Sequence, residues 1–396
     1  MTTTINNEHK KLNVPNLRFP EFQGEWEEST IGEMFDLYSG NTPSRLNKEH
    51  FKGTVNWISS GELKEHYIYS SKEQISEEAA KSLKLLPVGT FVIAIYGLEA
   101  EGVRGTGSII QEPSTISQAC MSFIPKGVIE NEFLYSWYKK HGNVIGIRYA
   151  QGTKQQNLSY DILEKFMIAY PNTKEQEKLN KFISLLDERI ATQNKIIDKL
   201  QSLIKGIVDC TILRKEKNAI VGDVCSISEQ IRAEANIDDI ITVRLHGNGV
   251  CKSSAENLQL GATQYYRRRA GQLIYGKQNF HNGAIGIVPI SLDNGITSKD
   301  IPSFDIDEMK CNSVYLLSQL QSPQYYKPAE ALTTGTGSKR LKEETFLKMP
   351  IVLPNKREQD NIAVLIHRAS MNLDHAKRLL ELLSIQKQFL LRQMFI

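Results

Sequence analysis

Two stretches of the chain place apolar residues in alternating steps of four and three. In the first, Leu179, Ile183, Leu186, Ile190, Gln193, Ile197, Leu200, Ile204 and Ile207 fall on one line. In the second, Ile362, Ile366, Ala369, Leu373, Ala376, Leu380, Leu383, Lys387 and Leu390 do the same. Each series carries one polar exception, Gln193 and Lys387. A 3.5-residue spacing held over four heptads predicts a long helix with a narrow coiled-coil seam. From Leu179 to Ile207 the first seam runs about 42 Å at 1.5 Å per residue. That is long for a helix lying on a small domain and natural for one whose partner is another long helix. Pro171 and Pro354 close the segments before the helices. Asn172 and Asn355 are placed to cap the helix starts, with Glu175 and Glu358 in the capping-box position.

The two stretches belong to a longer repeat. Residues 152–176 and 335–359 align without a gap at an offset of 183. Gly152, Thr153, Leu158, Lys165, Ile168, Pro171, Asn172, Glu175 and Gln176 all recur at that offset. Upstream of each helix, residues 26–170 and 219–353 are rich in Gly, Ser, Thr and Tyr, with short β-prone runs such as Thr90–Tyr96, Gln272–Tyr275 and Ala284–Ile290. These predict mostly β or α+β globular domains. Ile31-Gly32-Glu33 echoes Val221-Gly222-Asp223, and Val88-Gly89-Thr90 echoes Ala270-Gly271-Gln272. The order is therefore globular, helix, globular, helix. Two like units in one chain favour a twofold-like arrangement with antiparallel helices. The globular halves have diverged further than the helices, which points to two different ligands held by one scaffold. The alternative is a duplicated protein whose helices pack only on their own domains.

Composition narrows the function classes. The 396 residues suffice for two or three domains with real cores. The net charge of +3 excludes a histone-like polycation, so nucleic-acid binding requires local clusters of positive charge. Cys120, Cys210, Cys225, Cys251 and Cys311 are odd in number and form no C-x-x-C pair, which argues against a disulfide framework or zinc ribbon and fits a reducing cytoplasm. The opening MTTTINNEHKK is polar, and no run approaches the ~18 apolar residues of a membrane helix. A cytoplasmic protein with no membrane partner is the expectation.

At this point several stretches resemble the specificity subunits of type I restriction-modification systems. Pro15–Trp26 (PNLRFPEFQGEW) resembles the family's opening, and the two repeated segments resemble its conserved regions. Ser39–Leu63 and Thr115–Pro125 resemble one type of target-recognition domain, Tyr265–Pro289 another, and the final LLRQMFI is also typical. The resemblance covers nearly the whole chain. It implies an α+β fold in which two pseudo-twofold-related α/β target-recognition domains, residues 1–172 and 213–354, are separated by two long antiparallel coiled-coil helices, residues 173–212 and 355–396. It further implies a non-catalytic subunit that binds double-stranded DNA at a bipartite site with an unread spacer. Two methyltransferase subunits using S-adenosylmethionine would methylate adenine, and motor-nuclease subunits using ATP and Mg would restrict unmodified DNA. This chain itself would hold no cofactor and no metal.

The residues agree with a non-enzymatic role. No Pro-Pro pair is present for an amino-methyltransferase (N/D)PP(Y/F) loop, and Gly335-Thr336-Gly337-Ser338-Lys339-Arg340 has the wrong order for a P-loop. Glu62-Leu63-Lys64 and Glu308-Met309-Lys310 are bare E-x-K triplets of the kind chance supplies. The eight histidines are scattered, none at metal-ligand spacing. His246 and His281 lie among glycines and polar residues, as turn histidines or DNA contacts.

Phosphate neutralisation needs clustered Lys and Arg, and base reading needs Arg, Gln and small polar residues on loops. In the second domain Arg267, Arg268 and Arg269 follow two tyrosines and precede Lys277; the alternative is an edge strand guarded by arginines. In the first domain the candidates are Thr42, Arg45, Ser59, Ser60, Arg104 and Gln118. The junction loops add Lys154, Gln155 and Gln156 in one copy and Lys339 and Arg340 in the other, either as phosphate contacts or as turns that set each helix on its domain. Two other classes stay open on sequence alone. One is a stand-alone DNA-binding scaffold or regulator whose heptads homodimerise; the other is a carbohydrate-active or nuclease enzyme.

Overall fold

The computed structural model describes residues 12–100, 102–152, 156–253, 263–335 and 339–396. The chain divides into two compact units, Met1–Thr192 with Leu380–Ile396, and Gln193–Leu379. The division falls inside both long helices, so each unit holds one globular domain and a segment of each helix.

In the first unit the strands are β1 (Glu27–Thr30), β2 (Phe35–Ser39), β3 (Val55–Ile58), β4 (Tyr67–Ile68), β5 (Glu73–Ile75), β6 (Phe91–Ala94), β7 (Gly107–Ile110), β8 (Ser114–Ile116), β9 (Cys120–Pro125) and β10 (Met167–Tyr170). The helices are α1 (Ile31–Met34), α2 (Glu77–Ala80), α3 (Asn131–Tyr149), α4 (Tyr160–Leu163) and the first part of α5 (Thr173–Val208). The main sheet has the order β2-β9-β6-β7-β4. A smaller sheet, β5-β3-β8, has one antiparallel and one parallel pairing. The run TFVIAIY forms central strand β6, buried along its length.

The second unit contains β11 (Ala219–Ile220), β12 (Cys225–Ile227), β13 (Arg232–Ala233), β14 (Ile241–Val243), β15 (Val250–Lys252), β16 (Tyr265–Arg267), β17 (Leu273–Tyr275), β18 (Ile285–Ile287), β19 (Ile296–Ser298), β20 (Ser303–Ile306) and β21 (Pro350–Ile351). Its helices are α6 (Ser313–Leu320), α7 (Pro323–Tyr326), α8 (Glu343–Leu347) and the first part of α9 (Lys356–Met394). Its main sheet runs β12-β20-β17-β18, all antiparallel. That order reproduces β2-β9-β6-β7 of the first unit, also all antiparallel. The small sheets differ: β13-β16-β19 is wholly antiparallel and is centred on a later strand than β5-β3-β8.

The sequence echoes mark the shared joints. Ile31 and Val221 each donate a backbone hydrogen bond to a carbonyl just after the small helix α4 or α8, that of Phe166 and of Met349. A Cβ on Gly32 or Gly222 would press at 3.1 or 3.2 Å on the carbonyl oxygen of Glu164 or Leu347, so a side chain there forces the helix away. The glycine in each second echo, Gly89 and Gly271, has φ +85°, a left-handed conformation that favours glycine.

All 18 seam positions are buried or partly buried, and both polar exceptions find partners. In the second unit the Gln193 side-chain amide donates to the Ala376 carbonyl at 3.0 Å. In the first, Lys387 pairs with Asp187. In each unit the helix segments run antiparallel. Leu179, Ile183 and Leu186 share a core with Leu390, Leu391 and Met394, and Val208 and Ile212 share another with Ile362, Ala363 and Ile366.

The helix starts correct one expectation. Asn172 and Asn355 do cap their helices, accepting from the Glu175 and Glu358 amides at 3.1 and 3.0 Å. The glutamate side chains do not close a capping box. Glu175 takes a bidentate contact from Arg18, at 2.8 and 2.7 Å, and Glu358 pairs with Lys215. Next to them, Gln176 and Gln359 are buried to 0% and 1% exposure. Gln176 accepts from the Glu130 amide and donates to the carbonyls of Val128 and Pro171. Gln359 accepts from the Asn312 amide and donates to the carbonyls of Lys310 and Pro354. The two clamps are equivalent bond for bond.

Helix α3 was not visible as a periodic pattern. Residues Phe133–Tyr138 in its first half are buried without interruption, and a stretch covered on all sides has no polar face to set a period.

Truncating either clamp strands buried amides and carbonyls, each costing about 1–3 kcal/mol. Gln359→Ala is expected to lose about 3 kcal/mol of stability, read as a lower urea midpoint, whereas the exposed neighbour variant Arg357→Ala stays within about 0.5 kcal/mol.

Candidate nucleic-acid interface

In the first unit, Ser44, Arg45, Leu46 and Asn47 form a tight turn between β2 and β3, with the Asn47 amide donating to the Ser44 carbonyl. Arg45 is braced by Glu73, with two hydrogen bonds of 2.8 and 2.7 Å, and lies 4.4 Å above the Phe51 ring and 5.4 Å above the Trp57 ring. The Glu73 hydrogen bonds raise its guanidinium further above its ordinary value. Both partners are about half exposed, so a phosphate exchanges for this carboxylate at small cost. Leu46 stands in solvent at 97% exposure. Thr42 is half-buried beside the Asn41 side chain, which accepts from its amide. Ser59 is tied to Glu62 by its amide and hydroxyl, and Ser60 opens the short turn that follows. Gln118 is exposed. Arg104 donates to Gln156 at 2.8 Å, and the Gln156 amide donates to Glu99 at 2.7 Å.

The described ends of the two junction segments match. Gln151 bridges Asn157, and Thr334 bridges Arg340, each as an antiparallel pair. Gly152 has φ +113° and Gly335 has φ +127°, which explains the repeated glycine. Leu158 and Leu341, fully buried, then donate to the carbonyls of Ile95 and Lys277 just past the central strand. The turn role is therefore present in both. Lys154 and Gln155 lie outside the described residues. Lys339 is 3.6 Å from Glu330 and Arg340 3.4 Å from Asp300, all half-exposed or more.

In the second unit the three arginines separate. Arg267 and Arg269 are exposed, and Arg268 is fully buried. The Arg268 guanidinium donates to the Thr297 hydroxyl (2.7 Å), the Ser303 hydroxyl (2.9 Å) and the Ile301 carbonyl (3.0 Å). Burial lowers it to about 10, still charged at neutral pH. As a DNA contact Arg268 is corrected: alternation along the strand turns it inward, where it ties the small sheet to β20. Arg269 lies 3.8 Å from Glu229. Lys277 is only 16% exposed and pairs with Glu343 at 2.7 Å, so it braces the junction more than it faces solvent. Arg267 has no carboxylate partner among the described residues. It shares a cleft of about 490 Å³ with Lys252, Asp238, Asp239, Asp293 and Asn294. Lys252 was missed because it stands alone in the sequence; only the pairing of β14 with β15 carries it there.

Among the described residues no His, Cys, Asp or Glu group is arranged to hold a metal ion, and no helix is long and apolar enough to cross a membrane.

Changing neighbouring arginines is expected to separate two roles. Arg268→Ala empties a buried site, removes three hydrogen bonds and leaves the Ser303 hydroxyl without its guanidinium donor, and is expected to lose about 3 kcal/mol in urea unfolding; Arg267→Ala is expected to unfold within about 0.5 kcal/mol of the parent.

Comparison with known proteins agrees with this architecture. Residues 23–202 match the type I restriction modification DNA specificity domain. The type I restriction enzyme MjaIX specificity subunit of Methanocaldococcus jannaschii is 29% identical over 185 residues, 44% of this chain and 42% of that protein. The EcoR124I/EcoR124II specificity subunit of Escherichia coli is 30% identical over 208 residues, half of each chain. The chain thus spans about half the length of the curated relatives it matches. The crystal structure of the type I restriction-modification S subunit from M. genitalium superposes with a TM-score of 0.63 at 14% identity, over 97% of this chain and 99% of that one. A second structure, from work on complex assembly and conformational transition of the type I system, gives 0.52 at 13% identity over 93% and 97%. At these identities the structures speak for the fold. Residues 23–202, somewhat less than half of the chain, carry the likeness to the type I restriction modification DNA specificity domain.

Proposed function

We propose that the chain is the DNA-reading specificity subunit of a type I restriction-modification complex, and that its two domains each recognise one half of a bipartite site. The observation that carries this reading is the pattern of divergence. The main sheet, the junction hairpin and the glutamine clamp recur in both copies, while the small sheet and the loops around Arg45 and Arg267 do not. A shared frame with unlike outer loops suits two unlike half-sites separated by unread bases.

The chain supplies recognition, not chemistry. Methyltransferase subunits would bring S-adenosylmethionine for adenine methylation, and motor-nuclease subunits would bring ATP and Mg for restriction, all in the cytoplasm. Apolar side chains left exposed on the helix segments favour partner docking: Leu382, Ile385 and Phe389 in the first unit, Leu203, Val364 and Met371 in the second. The homodimerising-scaffold alternative loses its main support, because the seam of each unit is already covered within the chain.

Duplex affinity is expected to fall about 10³-fold or more between 50 and 200 mM salt, for six or more phosphate contacts, in a fluorescence-anisotropy titration. Arg267→Ala is expected to weaken that binding. Methylome sequencing of the host with and without the gene is expected to lose a bipartite methyl-adenine motif. Exchanging residues 213–353 for those of a homologue is expected to change one half of that motif; a change in both halves contradicts the modular reading.

A further inference from the structure

We propose that His66 is a positioning residue that clamps the first unit's main sheet to both long helices, a clamp not found among the described residues of the second copy. The proposal rests on the reading of this unit as a DNA-recognition domain. His66 immediately precedes β4 and is 14% exposed. Its ring lies between two tyrosines, 4.0 Å from Tyr67 at 10° and 3.9 Å from Tyr135 at 3°. Its Nε2 is 2.9 Å from Glu132 on α3, and its Nδ1 is 3.5 Å from Asp187 on α5. The other Asp187 oxygen takes Lys387 from α9. One imidazole thus joins the sheet, α3 and both long helices.

The geometry also sets its charge. Asp187 Oδ2 is buried, and no hydrogen bond reaches it except through the long approach of His66 Nδ1. A neutral imidazole carries one N–H and serves one carboxylate; the imidazolium serves both. Two aromatic faces stacked on the ring favour the cation as well. Burial opposes that charge, but the pairing with Asp187 and Glu132 outweighs it, so His66 is held above the ordinary histidine range. Asp187 is held below the ordinary range: burial opposes this, and His66 and Lys387 prevail. Lys139, on α3 above the Tyr135 ring, is lowered to about 8 by burial and by Lys387. The sign of the pH dependence follows. The stability from His66 is complete below the ordinary range and is lost as pH rises through its raised value. The share from Asp187 is lost as pH falls through its lowered one.

No comparable clamp is present among the described residues of the second copy. At the repeat offset Asp187 becomes Ser370 and Lys387 corresponds to Ile204. Ile204 and Ser370 line an open cleft of about 480 Å³, with His246 and Gln321. The lock therefore belongs to one domain and not to the duplicated scaffold.

The test uses the whole chain with ¹⁵N-labelled histidine, the His66 signals assigned by loss in His66→Asn. Both ring nitrogens are expected to be protonated at pH 7. Asp187→Asn is expected to shift the titration down and Lys387→Met to shift it up, responses that packing alone does not give. A ring that is neutral at pH 7, or one indifferent to Asp187→Asn, overturns the proposal. On a duplex carrying the motif found in the host methylome, His66→Asn is expected to weaken binding about tenfold, or 1.4 kcal/mol. Unchanged affinity in a folded variant overturns the positioning role. A charged His66 in a chain that binds no duplex keeps the clamp and overturns the DNA reading instead.

Discussion

The fold depends on a pair of buried side-chain amides. Gln176 and Gln359 each satisfy three main-chain groups at once: the Pro171 or Pro354 carbonyl after the last sheet strand, and one carbonyl and one amide in the segment that enters α3 or α6. These groups lie outside strand and helix ladders, and buried main-chain groups must be paired. A side-chain amide offers two N–H donors and a carbonyl acceptor in a single rigid plane. Glutamate lacks the donors, and leucine lacks both. The adjacent glutamate is held by a basic residue from the segment that enters each unit, Arg18 or Lys215. The start of each long helix is thereby fixed to its domain at the point where the repeat is most alike.

Given that fixed base, the outer parts were free to diverge. The four-strand order of the main sheet is kept, whereas the small sheet changes both its central strand and its pairing sense. Arg45 and Arg267 illustrate the result. One is stacked on aromatic rings and held by a carboxylate; the other projects from an edge of a charged cleft. Unlike surfaces on a common frame suit unlike ligands.

Much of this was legible in the residues. The heptads, the capping asparagines and the repeated glycines each act locally, so spacing alone located them. Other features depend on contacts far along the chain. Arg268 looked like part of a basic cluster because its partners Thr297, Ser303 and Ile301 lie some thirty residues downstream. The capping-box glutamates were misjudged for the same reason: Arg18 lies 157 residues from Glu175. The first half of α3 was hidden by burial on every side, and Lys387 looked like a flaw in the seam until Asp187 appeared beside it.

The composition of the first unit has a consequence for biogenesis. Its core is completed by Leu390, Leu391, Met394 and Phe395, with the Phe395 ring tilted against Phe133 at 5.2 Å and its carbonyl bonded to Lys140. Those residues leave the ribosome more than two hundred positions after the domain they close. Nascent domains generally fold in order of synthesis, but here the earlier-made half must wait, its apolar groove open, until the later-made half has been delivered. Vectorial synthesis thus makes the second unit the one able to mature first.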